Sequence, residues 1–510
     1  MSWRDEIEDI ERRRARAKLQ GGAEAVARQH AKGRLTIRER IAALLDEDSF
    51  EEVGAGAGAM GEDGFEPANY VLGFGEIGGR PCIVGGEDFT MKGGSPSPAG
   101  LRKSVYAETL ALQQKLPLIR LHEGAGGSVG GAGKASTPAP VYEPSRFVSV
   151  AELLATAPVA SAALGAVAGM PAARLVSSHY AVMAEEVAQI LIAGPAVVQR
   201  ALGEVKTKEE LGGAKVHGRA GTVDGVEDTE LEAFAAIRRF LSYLPTNIWA
   251  KPPYAATDDP ADRVEDALAE IVPRERRQAF DMRRALRLIL DKESFFEIGA
   301  RYGRGQITGF ARLSGHAVGV WANDGRHLAG AMTADGAQKA RRFLELCETF
   351  HLPVVAFIDE PGFMIGSQSE SEATIRHGAA TVLTAASMRV PWASVMVRRS
   401  FGVAQAAHYG PGGGLTLAWP SAEAGALPVE GGVAVAYHRE IAAAADPEAK
   451  RRELEEALAA RQSPFPRAEA FAVHELIDPR ETRARLCRWA ARAQPLLAGL
   501  LGPSRFGFRP

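Results

Sequence analysis

Cysteine is scarce: Cys82, Cys347 and Cys487 are the only three in 510 residues, far apart and odd in number. That pattern excludes a disulfide framework, and it suits a reducing compartment. No His-Glu-x-x-His string occurs and no Cys/His set has ligand spacing, so no metal is expected in this chain. Long apolar runs are missing too. The nearest, residues 148–173, is broken by Glu152, Gly165 and Gly169, which excludes an ordinary membrane-spanning helix. Charge of one sign is not in excess either. A net charge of -3 leaves no electrostatic footprint for nucleic acid or an anionic membrane. The basic stretch Arg12–Lys18 is interspersed with acids on both sides and reads as a solvated helix face,. The acidic start, Met1-Ser-Trp-Arg-Asp-Glu-Ile-Glu8, is unlike a signal or transit peptide,. A soluble cytoplasmic protein is the reading.

What is abundant is glycine, 55 residues, above the usual share of about 7%. Much of it lies in a sequence that is written twice. Tyr70-Val-Leu-Gly-Phe-Gly-Glu-Ile-Gly-Gly-Arg80 aligns with Gln306-Ile-Thr-Gly-Phe-Ala-Arg-Leu-Ser-Gly-His316 at an offset of 236, unbroken as far as Leu116-Pro117 against Leu352-Pro353. An earlier segment, Leu44–Gly54, matches Ile289–Gly299 at an offset of 245. A repeat of this length is domain-sized, and two copies are too few for a solenoid or propeller. Residues 245–262 carry four prolines and read as a linker,. The expected domains are 1–255 and 256–510.

Within each half, short apolar runs such as Leu116–Leu121 alternate with helical stretches such as Ala99–Lys115. That alternation predicts an α/β fold with parallel strands. In both halves a helix leads to a strand that ends in a glycine-containing loop. Gly124-Ala-Gly126-Gly-Ser-Val-Gly130 has the wrong spacing and position for a dinucleotide fingerprint. Its embedded Gly-x-Ser-x-Gly does not run straight into a helix, as a nucleophile elbow does. Gly410-Pro-Gly-Gly-Gly414 lacks the Lys-Ser or Lys-Thr of a P-loop. The histidines fall singly and read as structural. Backbone dipoles in glycine loops are left as serious candidates for catalysis.

An ordered series of motifs then carries a resemblance over nearly the whole chain. Gln29-His-Ala-Lys-Gly33 through Asp46, Asp88-Phe-Thr90 with Gly93-Gly94-Ser95, Glu210-Leu-Gly-Gly-Ala214, and Leu241-Ser-Tyr-Leu-Pro245 form its first part. Asp359-Glu-Pro-Gly-Phe363, Ile375-Arg-His-Gly378 and Leu417-Ala-Trp-Pro420 complete it. Together they resemble the carboxyltransferase (β) subunits of biotin-dependent acyl-CoA carboxylases, such as propionyl-CoA carboxylase. The resemblance implies tandem duplicated crotonase-like domains, each a β-β-α superhelix. It implies an acyl-CoA side on domain 1–255, a carboxybiotin side on domain 256–510, and a hexamer. No Ala-Met-Lys-Met biotinylation site is present, so biotin is expected on a carrier in a partner, the biotin carboxylase / biotin carboxyl carrier (α) subunit.

The implied chemistry needs no side-chain base. Carboxybiotin releases carbon dioxide, the remaining ureido anion takes the α-proton of the thioester, and the enolate attacks carbon dioxide. Each anion calls for a pair of backbone N–H donors. Matched to the family's loops, these are Gly169 and Met170 for the thioester, and Val403 and Ala404 for biotin. Lys92, Gly93, Gly94, Ser95, Gly126, Gly127 and Ala406 are the implied substrate contacts. Gly362, Phe363 and Gly402 are implied on the biotin side. Met170 and Val403 stand where the family commonly has glycine, and Gln405-Ala406 replaces Tyr-Asp, which points to a nonstandard, bulkier acyl group. Alternatives are a decarboxylase or transcarboxylase subunit of the same fold, a noncatalytic assembly subunit, and a crotonase-type hydrolase or isomerase with Glu123 as base.

Overall fold

The computed structural model describes residues 2–62, 64–126, 146–505 and 507–508. Two compact units divide the chain, Met1–Ala250 with Gly507–Pro510, and Lys251–Phe506. The first is built on an eight-stranded sheet: β1 (Glu51–Glu52), β2 (Tyr70–Ile77), β3 (Arg80–Glu87), β4 (Leu118–Gly124), β5 (Val159–Ala168), β6 (Tyr180–Ala184), β7 (Gln189–Leu191) and β8 (Gly225–Glu227). Its order is β1-β2-β3-β4-β5-β6-β8, with β7 beside β5. β2 and β3 form a hairpin from Tyr70↔Glu87 to Ile77↔Arg80. Gly78 and Gly79 turn it with φ of 58° and 69°, the paired positive values that a tight type I′ turn demands.

From β3 onward the pairings are parallel, and parallel neighbours need a crossover. Helix α1 (Pro98–Gln114) supplies the first. Ser97 caps it by accepting from the Gly100 amide, Pro98 opens it, and Lys115 ends it in the left-handed region, each in keeping with the asymmetry of helix ends. All seven residues of β4 are buried, as a strand covered on both faces requires.

The second unit repeats this with β9 (Phe296–Ile298), β10 (Gln306–Leu313), β11 (His316–Asn323), β12 (Val354–Glu360), β13 (Trp392–Phe401), β14 (Leu415–Ala418), β15 (Glu423–Gly425) and β16 (Glu475–Leu476). The order is β9-β10-β11-β12-β13-β14-β16, with β15 beside β13. The hairpin register runs from Gln306↔Asn323 to Leu313↔His316, the first unit's pairs displaced by 236. The tandem α/β duplication expected from the sequence is borne out. Leu286, Ile289, Val320, Phe357, Val395 and Trp419 form the second unit's core between sheet and helices. Ala163, Leu175, Met183 and Ile190 belong to a buried cluster in the first.

One irregularity recurs and bears on function. β4 slips register against β5 between His122 and Gly124, and β12 slips against β13 between Ile358 and Glu360. Such bulges re-aim side chains at strand ends. Here they turn Glu123 and Asp359 inward, both fully buried. No helix among the described residues is long and apolar enough to cross a membrane.

Candidate active site

In the first unit three backbone segments meet past the ends of β4 and β5. A Cβ placed on Gly94 would lie 2.6 Å from the Glu123 carbonyl oxygen, and one on Gly169 would lie 2.9 Å from the Gly126 Cα. Only glycine lets these chains approach so closely. Gly169, at φ 66° and ψ -131°, caps the short helix α2 (Met170–Val176). The first amides of a helix have no acceptor within it, and among the described residues no backbone or side-chain acceptor takes a hydrogen bond from the Gly169 or Met170 amide. Glu123 is committed elsewhere. Its carboxylate pairs with Arg34 at 2.9 Å and Arg40 at 2.7 Å and accepts from Gln29 Nε2 at 2.6 Å.

Against Gly126 and Met170 lies a cavity of about 210 Å³, walled by Tyr70, Leu101, Met170 and Pro171, with Glu87 and Arg174 in its lining. Beneath it runs a buried ionic cluster. Glu108 pairs with Arg120 at 3.1 Å and Arg174 at 2.9 Å. Arg120 Nη1 also donates to the carbonyls of Arg174 and Ser177 at 2.8 and 3.1 Å, which fixes the far end of α2. Burial pushes the Glu108 carboxyl above its ordinary range against the pull of both arginines, and lowers Arg120. His122 Nδ1 sits 3.2 Å from both Glu87 oxygens. Burial opposes the Glu87 charge, yet His122 and the Glu87 and Glu123 amides hold its carboxyl below the ordinary range. Tyr70 is pushed up by burial and by the Glu87 charge.

The second unit has a counterpart. Asp359 receives Arg398 Nη2 and Arg399 Nε at 2.9 and 2.7 Å. Glu360 accepts from the Gly362 amide at 3.0 Å and Asn323 Nδ2 at 3.0 Å, and lies 3.3 Å from His408 Nε2. His408 stacks on Trp321 with ring centroids 3.9 Å apart. Phe363 packs over Gly378, where a Cβ would strike its ring. The Gly402 amide donates to the Gly425 carbonyl at 3.2 Å, so it is already committed. Val403 and Ala404 follow at the start of the 3-10 turn Ala404–Tyr409, and among the described residues no acceptor takes their amide hydrogens. A cavity of about 390 Å³, lined by Pro361, Arg398, Arg399 and Phe401, lies in this unit.

Residues 28–494 match the carboxyl transferase domain. The chain belongs to the carboxyl transferase family. Among its relatives, the propionyl-CoA carboxylase carboxyltransferase subunit of Haloferax mediterranei is 33% identical over 95% of both chains. The propionyl-CoA carboxylase beta chain of Cereibacter sphaeroides is also 33% identical, over 95% of this chain and 96% of its own. Among solved structures, a transcarboxylase 12S hexamer with methylmalonyl-coenzyme A and methylmalonic acid bound superposes with a TM-score of 0.88 at 28% identity, covering 100% of this chain and 97% of that one. A single-chain, multi-domain long-chain acyl-CoA carboxylase gives 0.83 at 30% identity, over 95% of this chain and 48% of that one. Similarity to a carboxyl transferase is what the motifs implied.

In this member of the family Gly93, Gly94, Gly126, Gly169 and Met170 come together, while Gly127 lies outside the described residues. Lys92 is exposed and pairs with Glu66 at 2.7 Å, and Ser95 accepts from Asn69 Nδ2 through its carbonyl at 2.5 Å. Ala406 is exposed. Sequence reasoning passed over Glu87, Glu108, Arg120 and Arg174, and read His122 only as one of the single structural histidines. The available signal was Arg120 and His122 standing two apart in an apolar strand, hence on one face.

Close by, Lys103 Nζ donates to the Gly54 carbonyl at 3.1 Å, and burial brings its ammonium from 10.5 down to about 8. Between those values the unfolded chain binds more protons than the folded one, so this group makes stability rise with pH. Thermal unfolding between pH 8 and 10.5 is expected to show that rise in the wild-type chain relative to Lys103→Met, which lacks it.

Proposed function

We propose that this chain is the carboxyltransferase subunit of a biotin-dependent acyl-CoA carboxylase, moving a carboxyl group to the α-carbon of an acyl-CoA. The observation that carries the reading is a pair of adjacent amides in each unit, Gly169-Met170 and Val403-Ala404, that meet no acceptor among the described residues, in a carboxyl transferase chain. An enolate oxygen needs two preorganised donors, and one such donor is commonly worth roughly 3 kcal/mol. The Gly169 and Met170 amides serve that oxygen, and the cavity beside Met170 takes the acyl chain. The Val403 and Ala404 amides suit the ureido carbonyl of biotin, with Gly362, Phe363 and Gly402 shaping the surrounding loops. Carboxybiotin, carried on the α subunit, supplies the carboxyl group and the base. Lys92, Gly93, Gly94, Ser95 and Gly126 line the approach of the CoA thioester, and Ala406 leaves space for a bulkier acyl group. Assembly as a hexamer is supported by the likeness to the transcarboxylase 12S hexamer, and a cytoplasmic location by the three free cysteines.

The half-reaction tests it. The purified chain is expected to release carbon dioxide from a malonyl-type CoA ester only when free biotin is present, read by mass spectrometry of the CoA products. Turnover without biotin would favour a crotonase-type hydrolase. Carboxyl transfer to a keto acid would favour the transcarboxylase reading.

A further inference from the structure

The cavity against Met170 has a charged floor that binding an all-hydrocarbon acyl chain does not use. Glu87 keeps 9% of its side chain exposed and lines the cavity together with Arg174. Glu87 lies against His122, and Glu108 pairs with Arg120 and Arg174. Arg146 also lines the cavity, as an exposed residue, whereas the buried charged groups of the floor are paired among themselves. Arg174 is spent on Ser104 Oγ at 3.0 Å and on Glu108. Asn69 is spent on the Ser97 amide and the Ser95 carbonyl. The acceptor that faces the space is the Glu87 carboxylate, held in place by His122. The imidazole is 2% exposed, and its other nitrogen, Nε2, is buried with no hydrogen-bond partner among the described residues.

We propose that this cavity takes an acyl group bearing a hydroxyl, with Glu87 accepting its hydrogen bond as the specificity-determining residue. The proposal rests on the acyl-CoA reading above. Tyr70, Leu101, Met170 and Pro171 enclose the carbon atoms, and Glu87 recognises the oxygen. The size agrees: an apolar cavity of about 150 Å³ admits benzene, and this one, at about 210 Å³, exceeds the space a methyl end requires. A buried acceptor built for a hydroxyl discriminates against the analogue lacking it, because an acceptor position of the carboxylate beyond those taken by His122 and the Glu87 and Glu123 amides is then left desolvated and unfilled.

Calorimetric titration of the full chain with matched esters decides it: 3-hydroxybutyryl-CoA against isovaleryl-CoA, and 4-hydroxybutyryl-CoA against pentanoyl-CoA. At least one hydroxy ester is expected to bind tenfold or more tightly than its methyl counterpart. Glu87→Gln is expected to lose most of that preference, and Glu87→Leu to reverse it. Where Glu87→Leu fails to fold, the wild-type pairs and Glu87→Gln decide. Equal affinities within both pairs, or a preference unchanged by Glu87→Gln, overturn the hydroxyl proposal and leave the acyl-CoA reading standing. A folded chain that binds none of the four esters overturns both.

Discussion

Replacing Glu108 by alanine is expected to cost the first unit about 3–5 kcal/mol of stability. The reason is electrostatic. Glu108 is fully buried and is the shared counter-ion of Arg120 and Arg174, whose side chains are 2% and 5% exposed. Removing it leaves two guanidinium groups in a low dielectric with only neutral hydrogen-bond partners and the charge of Glu87. Glu108 raised and Arg120 lowered by burial indicate that the cluster is itself costly to assemble, the usual balance for a buried ion pair. Its value is therefore in placement: Arg120 grips the carbonyls at the far end of α2, the helix whose first amide belongs to Met170. Chemical denaturation followed by a probe in the first unit measures the loss. Glu108→Gln, which keeps hydrogen-bonding atoms without the charge, is expected to fall between wild type and Glu108→Ala. Equal stability of Glu108→Ala and wild type would show that water or rearrangement compensates the arginines.

The fold was legible because its signals are local or repetitive. The 236-residue offset fixes the β2–β3 and β10–β11 hairpins, and the helix expected over Ala99–Lys115 from its alternation with apolar runs is found at Pro98–Gln114. The candidate donors were reached only through resemblance, since an N–H group has no side chain to betray it. The charged floor was not legible at all. Glu87 and His122 are 35 residues apart, and Glu108 and Arg174 are 66 apart. Nothing in composition or periodicity pairs them until parallel strands bring β3, β4 and α2 side by side. Glu123 shows the reverse error: an acid in a glycine loop reads as a candidate base, whereas the bulge in β4 turns it away into Arg34 and Arg40. A carboxylate so held has no free position from which to take a substrate proton.

Met170→Pro is expected to lower kcat of the carboxyltransferase reaction by about 100- to 1,000-fold, the range found when one oxyanion donor is deleted. Proline removes a single N–H, and the first position of a helix is where its ring and fixed φ fit best. Met170 holds that position in α2. The corresponding change at Ala404 is a poorer test. Val403, at φ -74° and ψ -30°, lies in the α region that a following proline disfavours, so lost activity there would mix strain with the missing donor. Met170→Ala supplies the control, because it removes the same side chain from the cavity wall while keeping the amide. If the amide stabilises the enolate, Met170→Ala stays within about tenfold of wild type, and Met170→Pro falls far below it with KM for the CoA ester little changed, since an interaction made mainly in the transition state appears in kcat. If both variants fall together, the side chain matters and the amide does not. The enolate oxygen must then be held by other groups.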